Sequence, residues 1–401
     1  MSHPPLDRIA ATIGSDSVHL NVDGRLVATP PTSEAMAGLL GLAHDESWSV
    51  AIEGAGTWQP DTAMAGLTVS TRGLDELLGV EPDAMRATVQ AGVPLDALRQ
   101  QFLTHGCWLP LDPPGRPDRT IGSVLATATA GPLRAGFGPI RDQVSALTVV
   151  RADGRVVRLT REVDGDAALR LHLGGFGGFG VITDATLRLQ PLPHADTTWV
   201  TLGPRDRLTA AARELADSRV AAAAAELLSP ALASEGEWLL AVRLVGERDA
   251  VEAEGLRLHA LGHLHWHELP RERRMLLWNG SSRGISTVPV TLRLGALPEG
   301  IDEAIDMVIA HLGEGMLSAG ALAGTIRWIG HADAVTVRAM RARFAAREVP
   351  LTLERAPWAL RRAVGHFGAY REGIGGPIER LRERYDPASI LVTGITGESA
   401  A

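Results

Sequence analysis

Residues 174–189 read GGFGGFGVITDATLRL, a glycine cluster that gives way to strict alternation. Val181, Thr183, Ala185, Leu187 and Leu189 fall on one face, and Ile182, Asp184, Thr186 and Arg188 on the other. That period of two predicts a strand. Residues 49–53 predict a second, shorter strand running into Gly54-Ala55-Gly56-Thr57. Beyond Pro191-Leu192-Pro193 the texture changes. Residues 209–228 carry good helix formers, including the alanine run 221–225 beside Leu215, Leu227 and Leu228, and predict a packed helix. Residues 238–245 read as a buried strand, 250–262 as a helix and 263–269 as another strand. A helix over 299–312, a strand over 325–329, a helix over 332–348 and a strand over 350–354 repeat the rhythm. Residues 376–384 form a charged helix that Asp386-Pro387 stops, because proline cannot continue the backbone ladder.

The glycine-rich segments are not those of a Rossmann unit. There the glycines follow a strand and open a helix, whose N-terminus carries the pyrophosphate. Here a strand follows the glycines of residues 174–180. The turn at residues 54–57 has small side chains and exposes successive N–H groups, a nest able to hold phosphate without a lysine. By itself such a turn is more often a plain chain reversal.

Length and composition narrow the classes. A chain of 401 residues with 45% apolar content suits two or three globular domains. The formal charge of -8 and the absence of basic runs argue against a nucleic-acid surface. No segment approaches the length of apolar chain that spans a bilayer, and the first residues lack a signal-peptide pattern, so the expectation is a cytoplasmic protein with no membrane span. Cys107 is the only cysteine. It excludes an intrachain disulfide and an iron–sulfur cluster held by this chain alone, and it sits in an apolar run as an inert core thiol.

Taken in order, the Gly54-Ala55-Gly56-Thr57 turn is followed by residues 88–98, His105-Gly106-Cys107-Trp108, Pro113-Pro114 and Thr120-Ile121-Gly122-Ser123. Ala130-Gly131-Pro132, Gly136-Phe137-Gly138, Arg141-Asp142, residues 147–154 and Gly177 to Thr183 complete the series. In this order and spacing, residues 27–193 resemble the FAD-binding domain of the vanillyl-alcohol oxidase and p-cresol methylhydroxylase superfamily. The carboxy-terminal half, through residues 268–283, 325–330, 355–357 and 381–391, more loosely resembles the FAD-binding subunit of glycolate oxidase.

The resemblance implies an α+β fold: a p-cresol methylhydroxylase-type FAD-binding domain of two α+β lobes over residues 1–193, followed by an α+β cap over 194–355. A carboxy-terminal helix and tail, 356–401, would return toward the FAD domain. It implies FAD contacts at Glu53, Gly54, Ala55, Gly56, Thr57 and Trp58 around the pyrophosphate turn. Further contacts fall at Pro113, Thr120, Ile121, Gly122, Ser123, Ala126, Gly131, Phe137 and Gly138 along the cofactor, and at Gly177, Gly180, Val181 and Ile182 near the adenine end. Glycine suits such contacts because a Cβ would hold the cofactor off. Glu53 stands where the family often has arginine, and Thr57 where members with covalent flavin carry histidine, so dissociable FAD is expected.

The implied activity is oxidation of a small 2-hydroxy acid to its 2-oxo acid, beside a second flavin subunit and an iron–sulfur subunit. Two alternatives stay open: a self-sufficient FAD-dependent alcohol or sugar oxidase, and a scaffold of the same fold without catalysis. Arg283, Arg293 and Arg327 are candidates for a substrate carboxylate, since the guanidinium fork donates two parallel bonds. No residue is assigned as the catalytic base. His263, His265 and His267 share one face of the expected strand and read as a polar or partner-facing edge rather than a metal cage.

Overall fold

The structure is a computed structural model that describes residues 4–233, 235–261, 264–283, 288–313, 315–368 and 375–395. Among the described residues three large sheets carry it, beside a two-stranded one of Cys107–Trp108 and Gln190–Pro191. The first has four strands in the order Val18–Leu20, Leu26–Ala28, Leu67–Ser70 and Val50–Glu53. Val50–Glu53 runs parallel to Leu67–Ser70, so the turn at 54–57 leaves the sheet at its edge. The second has five strands, Leu77–Glu81, Arg86–Gln90, Val181–Arg188, Val144–Val150 and Val156–Thr160. Val181–Arg188 sits in its centre, and the alternation seen in the sequence places every odd-numbered residue from 181 to 189 in the interior.

The third sheet has eight antiparallel strands, in the order His267–Glu268, Ala195–Gly203, Trp238–Gly246, Ala224–Leu228, Met316–Gly320, Thr325–Gly330, Val290–Gly295 and Leu351–Arg355. One face is apolar. Ala225, Leu227, Leu240, Val242, Leu292, Leu317, Ile326, Trp328 and Leu353 share a core with the helices Arg205–Asp217, Arg248–His259, Ile301–Leu312 and Ala334–Ala345. The register puts a row of polar residues on the other face: Arg243 opposite Ala224, then Glu226, then Ser318 opposite Arg327, then Arg293 opposite Arg327. This face meets the amino-terminal half, where Arg327 donates to the Ala130 carbonyl at 2.6 Å and Gly136 N–H donates to the Ala223 carbonyl at 3.0 Å. Strands covered on both faces are buried throughout, as Ala224–Leu228 and Leu351–Arg355 are.

Two expectations need correction. The alanine run does not continue the helix: Arg205–Asp217 ends before it, and Ala224–Leu228 is a central strand. Alanine is a good helix former by well under 1 kcal/mol per residue over most others, and pairing on both edges outweighs that. Small side chains also admit Gly136, where an added Cβ would stand 2.8 Å from the Ala223 Cα. The strand expected over 263–269 is only His267–Glu268. His265 and His267 are exposed around a buried Trp266, while His263 lies outside the described residues.

The tail returns to the first sheet, with Val50 N–H donating to the Ile390 carbonyl at 2.7 Å and Val392 N–H to the Val50 carbonyl at 2.9 Å. Asp386 caps this return by accepting from the N–H groups of Ile390 and Leu391, both at 2.9 Å. Among the described residues no helix is long and apolar enough to cross a membrane.

An ion pair within the sheet backs the Arg327 contact to the amino-terminal half. Glu354 is 1% exposed and accepts from Arg327 Nε at 2.8 Å, with Arg293 at 3.7 Å. Burial pushes its carboxyl up, but Arg327 and Arg293 more than offset this and hold it below the usual range. The Glu354→Ala variant strands two guanidinium groups in the interior, so urea unfolding is expected to show a loss of about 3–5 kcal/mol. A loss under about 1 kcal/mol would mean water reaches the pair.

Candidate functional site: a groove between the two small sheets

A cavity of about 390 Å³ lies where the first two sheets and the tail meet. One wall is the turn after Val50–Glu53, with Glu53, Gly54, Ala55, Gly56, Thr57 and Trp58 lining it. The opposite wall is the start of the helix Ile121–Thr127, through Thr120, Gly122, Ser123 and Ala126. Gly177, Gly180, Val181 and Ile182 close one end.

Five expected positions lie elsewhere. Ile121 is fully buried in the core of the five-stranded lobe. Gly131 borders a second, smaller cavity described below, and Pro113 is flanked by two residues of that cavity, Asp112 and Pro114. Phe137 packs edge-on against Trp108, with centroids 5.2 Å apart, and Gly138 ends the short helix Arg134–Phe137.

The glycines work differently from the sequence-based expectation. A Cβ on Gly54 would lie 2.2 Å from Thr120 Oγ1, and one on Gly122 would lie 2.8 Å from the Ala91 carbonyl oxygen. They let the walls of the groove approach each other. Gly56 and Gly177 are the positions whose backbone, at φ +67° and +77°, faces the groove in the left-handed region while nothing closer than 3.7 Å meets an added Cβ.

The turn has the properties of an anion cradle. Among the described residues no hydrogen bond takes up the N–H groups of Ala55, Gly56 and Thr57. The Thr57 hydroxyl is buried with no hydrogen-bond partner, a cost that a bound polar group would remove. Arg25 lines the same cavity and brings a positive charge that the sequence did not single out. Glu53 lines it too, yet its Oε2 accepts from Thr62 Oγ1 at 2.8 Å. Burial pushes the Glu53 carboxyl up, against the Thr62 hydrogen bond and the charges of Arg25 and Arg72. A carboxyl more easily neutralised repels an anion less.

Aromatic and cationic groups pack on and around the cavity lining. The Arg119 guanidinium lies 3.9 Å over the Trp58 ring and donates to the Pro114 carbonyl at 2.6 Å and to Thr127 Oγ1 at 2.7 Å. His366 and Phe176 also line the cavity, stacked with centroids 4.0 Å apart. Burial pushes His366 down to about 4. It is therefore a neutral imidazole at physiological pH, and its Nδ1 lies 2.7 Å from the Leu353 carbonyl oxygen. Val392 and Thr393 bring the tail to the same wall.

Of the arginines expected to meet a substrate carboxylate, Arg327 already spends its fork on Glu354 and Ala130, and Arg293 faces the same glutamate. The Arg283 side chain lies outside the described residues. Trp328 is 2% exposed and belongs to the core, and Trp278 donates to Thr198 Oγ1 at 2.9 Å. Burial pushes the Cys107 thiol up, as befits an inert core cysteine.

Known proteins agree with this geometry. Residues 25–160 match the family of FAD binding domains. The chain is 33% identical over 173 residues to a D-lactate dehydrogenase of Archaeoglobus fulgidus, covering 41% of this chain and 39% of that protein. It is 28% identical over 199 residues to glycolate oxidase subunit GlcD of Bacillus subtilis, covering 48% and 42%. It is 28% identical over 137 residues to glycolate oxidase subunit GlcE of Escherichia coli, covering 33% and 39%. The matched stretches thus span about two fifths of these curated relatives. The 4-ethylphenol oxidase of Gulosibacter chungangensis superposes with a TM-score of 0.78 at 14% identity, covering 98% of this chain and 97% of that one. An alkyldihydroxyacetonephosphate synthase gives 0.73 at 16%, covering 97% and 85%. Residues 25–160 thus match an FAD binding domain, and the chain as a whole shares the mixed α+β fold of the 4-ethylphenol oxidase structure.

Proposed function

We propose that this chain holds FAD along the groove and takes part in oxidising a small 2-hydroxy acid to its 2-oxo acid, as one subunit of a glycolate oxidase-like assembly. The observation that carries the reading is the turn at residues 54–57. There, free N–H groups and an unpartnered Thr57 hydroxyl converge on a cavity lined at its other end by Gly177, Gly180, Val181 and Ile182. D-lactate dehydrogenases and glycolate oxidase subunits among the relatives support the substrate class.

In this reading Gly54, Ala55, Gly56 and Thr57 bind the pyrophosphate through main-chain N–H groups and one hydroxyl. Arg25 offsets its charge. Val181 and Ile182 give the adenine an apolar seat, and Thr120, Gly122, Ser123 and Ala126 run along the chain of the cofactor. Trp58, with the Arg119 guanidinium over its ring, lines the same cavity. Bound FAD supplies a two-electron acceptor for the alcohol carbon. Cys107 is the only cysteine of the chain, so an iron–sulfur centre that takes the electrons onward belongs to a partner subunit. One feature favours a second reading, a scaffold subunit without catalysis. Glu53 places a carboxylate on the wall of the same cavity, beside the turn at 54–57.

The absorbance spectrum separates the two readings. The purified chain incubated with FAD and desalted is expected to keep a yellow flavin band that D-lactate or glycolate bleaches anaerobically. A chain that stays colourless sinks the cofactor assignment, and a flavin band that no 2-hydroxy acid bleaches supports the scaffold.

Two substitutions test the cradle. Thr57→Val keeps the side-chain volume and removes one hydrogen bond to a charged group, which is expected to weaken FAD binding by about tenfold or more in fluorescence titration. Glu53→Gln removes the repulsion between like charges and is expected to tighten FAD by about tenfold at neutral pH. Because protonation of Glu53 relieves the same repulsion, wild-type affinity rises as pH falls toward and through its raised pKa, and the variant loses that trend. Equal pH trends in the two proteins would remove Glu53 from the cradle.

A further inference from the structure

Glu226 is the lone charge in the run of residues 221–228, and the strand Ala224–Leu228 that carries it is buried at every position. It is 8% exposed, and among the described residues no hydrogen bond or ion pair engages its carboxyl. Its strand neighbours are Ala241 on one side and Gly320 on the other. A Cβ on Gly320 would stand 3.1 Å from Glu226 Oε1, so the missing side chain makes room for the carboxyl.

The carboxyl opens onto a second cavity, of about 20 Å³, at the seam between the FAD-binding half and the eight-stranded sheet. Asp112, Ser318, Arg327 and Trp278 share its wall. Only a small partition separates it from the groove: Ile329 lines the cavity and packs on Trp58, and Pro114 lines it while its carbonyl holds Arg119. The volume admits about one water.

The charges around Glu226 come from every element of this face. Asp112 projects from the loop before Pro113 and accepts from the Leu133 N–H at 3.1 Å. Arg327 is paired with Glu354, Arg243 with Asp196 at 2.8 Å, and Arg99 donates to the Leu111 carbonyl at 2.7 Å. Arg134 belongs to the short helix packed against the Glu226 strand. Burial pushes Glu226 up to about 8, against Arg327 and with Asp112. An unpaired carboxyl in such a place costs stability when ionised, and that cost is typical of groups that move protons.

We propose that Glu226 is the acid–base residue of this chain, exchanging a proton with a substrate hydroxyl beyond the partition through the one water that the seam cavity admits. This deepens the 2-hydroxy acid reading and rests on it. As the substrate is oxidised its O–H bond breaks and the proton passes, through the cavity water, to the Glu226 carboxylate. For the oxidation to balance, the same carbon would give up a hydride, whose two electrons bound FAD would accept, as the carbon–oxygen bond becomes double. A proton acceptor that ionises near the working pH suits this task.

Two experiments on the full-length FAD-loaded protein test the assignment. The first needs no substrate: urea unfolding of wild type and Glu226→Gln across the neutral to mildly alkaline range. A raised carboxyl pKa contributes stability at low pH that is lost as pH rises through the folded value. Wild type is therefore expected to fall relative to the variant up to about pH 8, and parallel curves would overturn the proposal. The second follows anaerobic flavin bleaching by D-lactate or glycolate. Glu226→Gln is expected to slow it by about 100-fold or more with FAD content unchanged and to abolish the rise of rate with pH, while Glu226→Asp keeps that rise. A variant with the wild-type pH profile would overturn the acid–base role. If no 2-hydroxy acid bleaches the wild-type flavin, the substrate reading falls and the redox role falls with it. The unfolding curves then still decide whether Glu226 holds its proton.

Discussion

The buried Arg327 guanidinium, held by Glu354 of its own sheet and donating across the seam to the Ala130 carbonyl, ties the two halves of the molecule together. Charges taken out of water are tolerated only when nearly every donor and acceptor finds a partner, and that requirement leaves few arrangements of the seam. The main chain around Glu354 then reaches across to the groove. Gln59 donates to the Glu354 carbonyl and accepts from the Ala356 N–H, Arg355 donates to the Trp58 carbonyl at 2.8 Å, and Arg361 donates to Asp61. The segment directly after the anion cradle is therefore held by the far sheet. A groove wall built largely of small residues gains from such outside support.

The eight-stranded sheet shows how one element serves two solvents. Its helix-covered face is an ordinary apolar core. Its other face carries arginines and glutamates but meets protein rather than water, so each charge there has been given a partner, with the exception of Glu226. Nearly complete pairing everywhere else gives the exception its weight. The same face supplies the polar wall of the seam cavity, and Trp58, Arg119 and Ile329 keep that cavity distinct from the groove.

Electrostatics in the groove is a balance rather than a positive patch. Glu53 sits beside the cradle, with Thr62 holding one oxygen and Arg25 nearby. In the proposed reading backbone dipoles would carry the attraction for phosphate, without the hydration cost of a lysine.

Local pattern alone determined a good deal. The alternation of residues 181–189 specified a strand and its buried face, because the period of two depends only on backbone geometry. The strand ending at Glu53 and the turn after it were equally legible, as was the helix Gly375–Tyr385 that Asp386-Pro387 ends. Tertiary structure decided the rest. The alanine run became a strand because edges supplied by residues 239–243 and 318–320 outweighed a small helical preference. Arg119 and Arg25 gained their places from neighbours that no spacing rule announces. Glu226 was visible only as a charge in an apolar stretch. Its surroundings come from Asp112 and Arg327, each about a hundred residues away along the chain, and burial acts on a charge only once distant segments have closed around it.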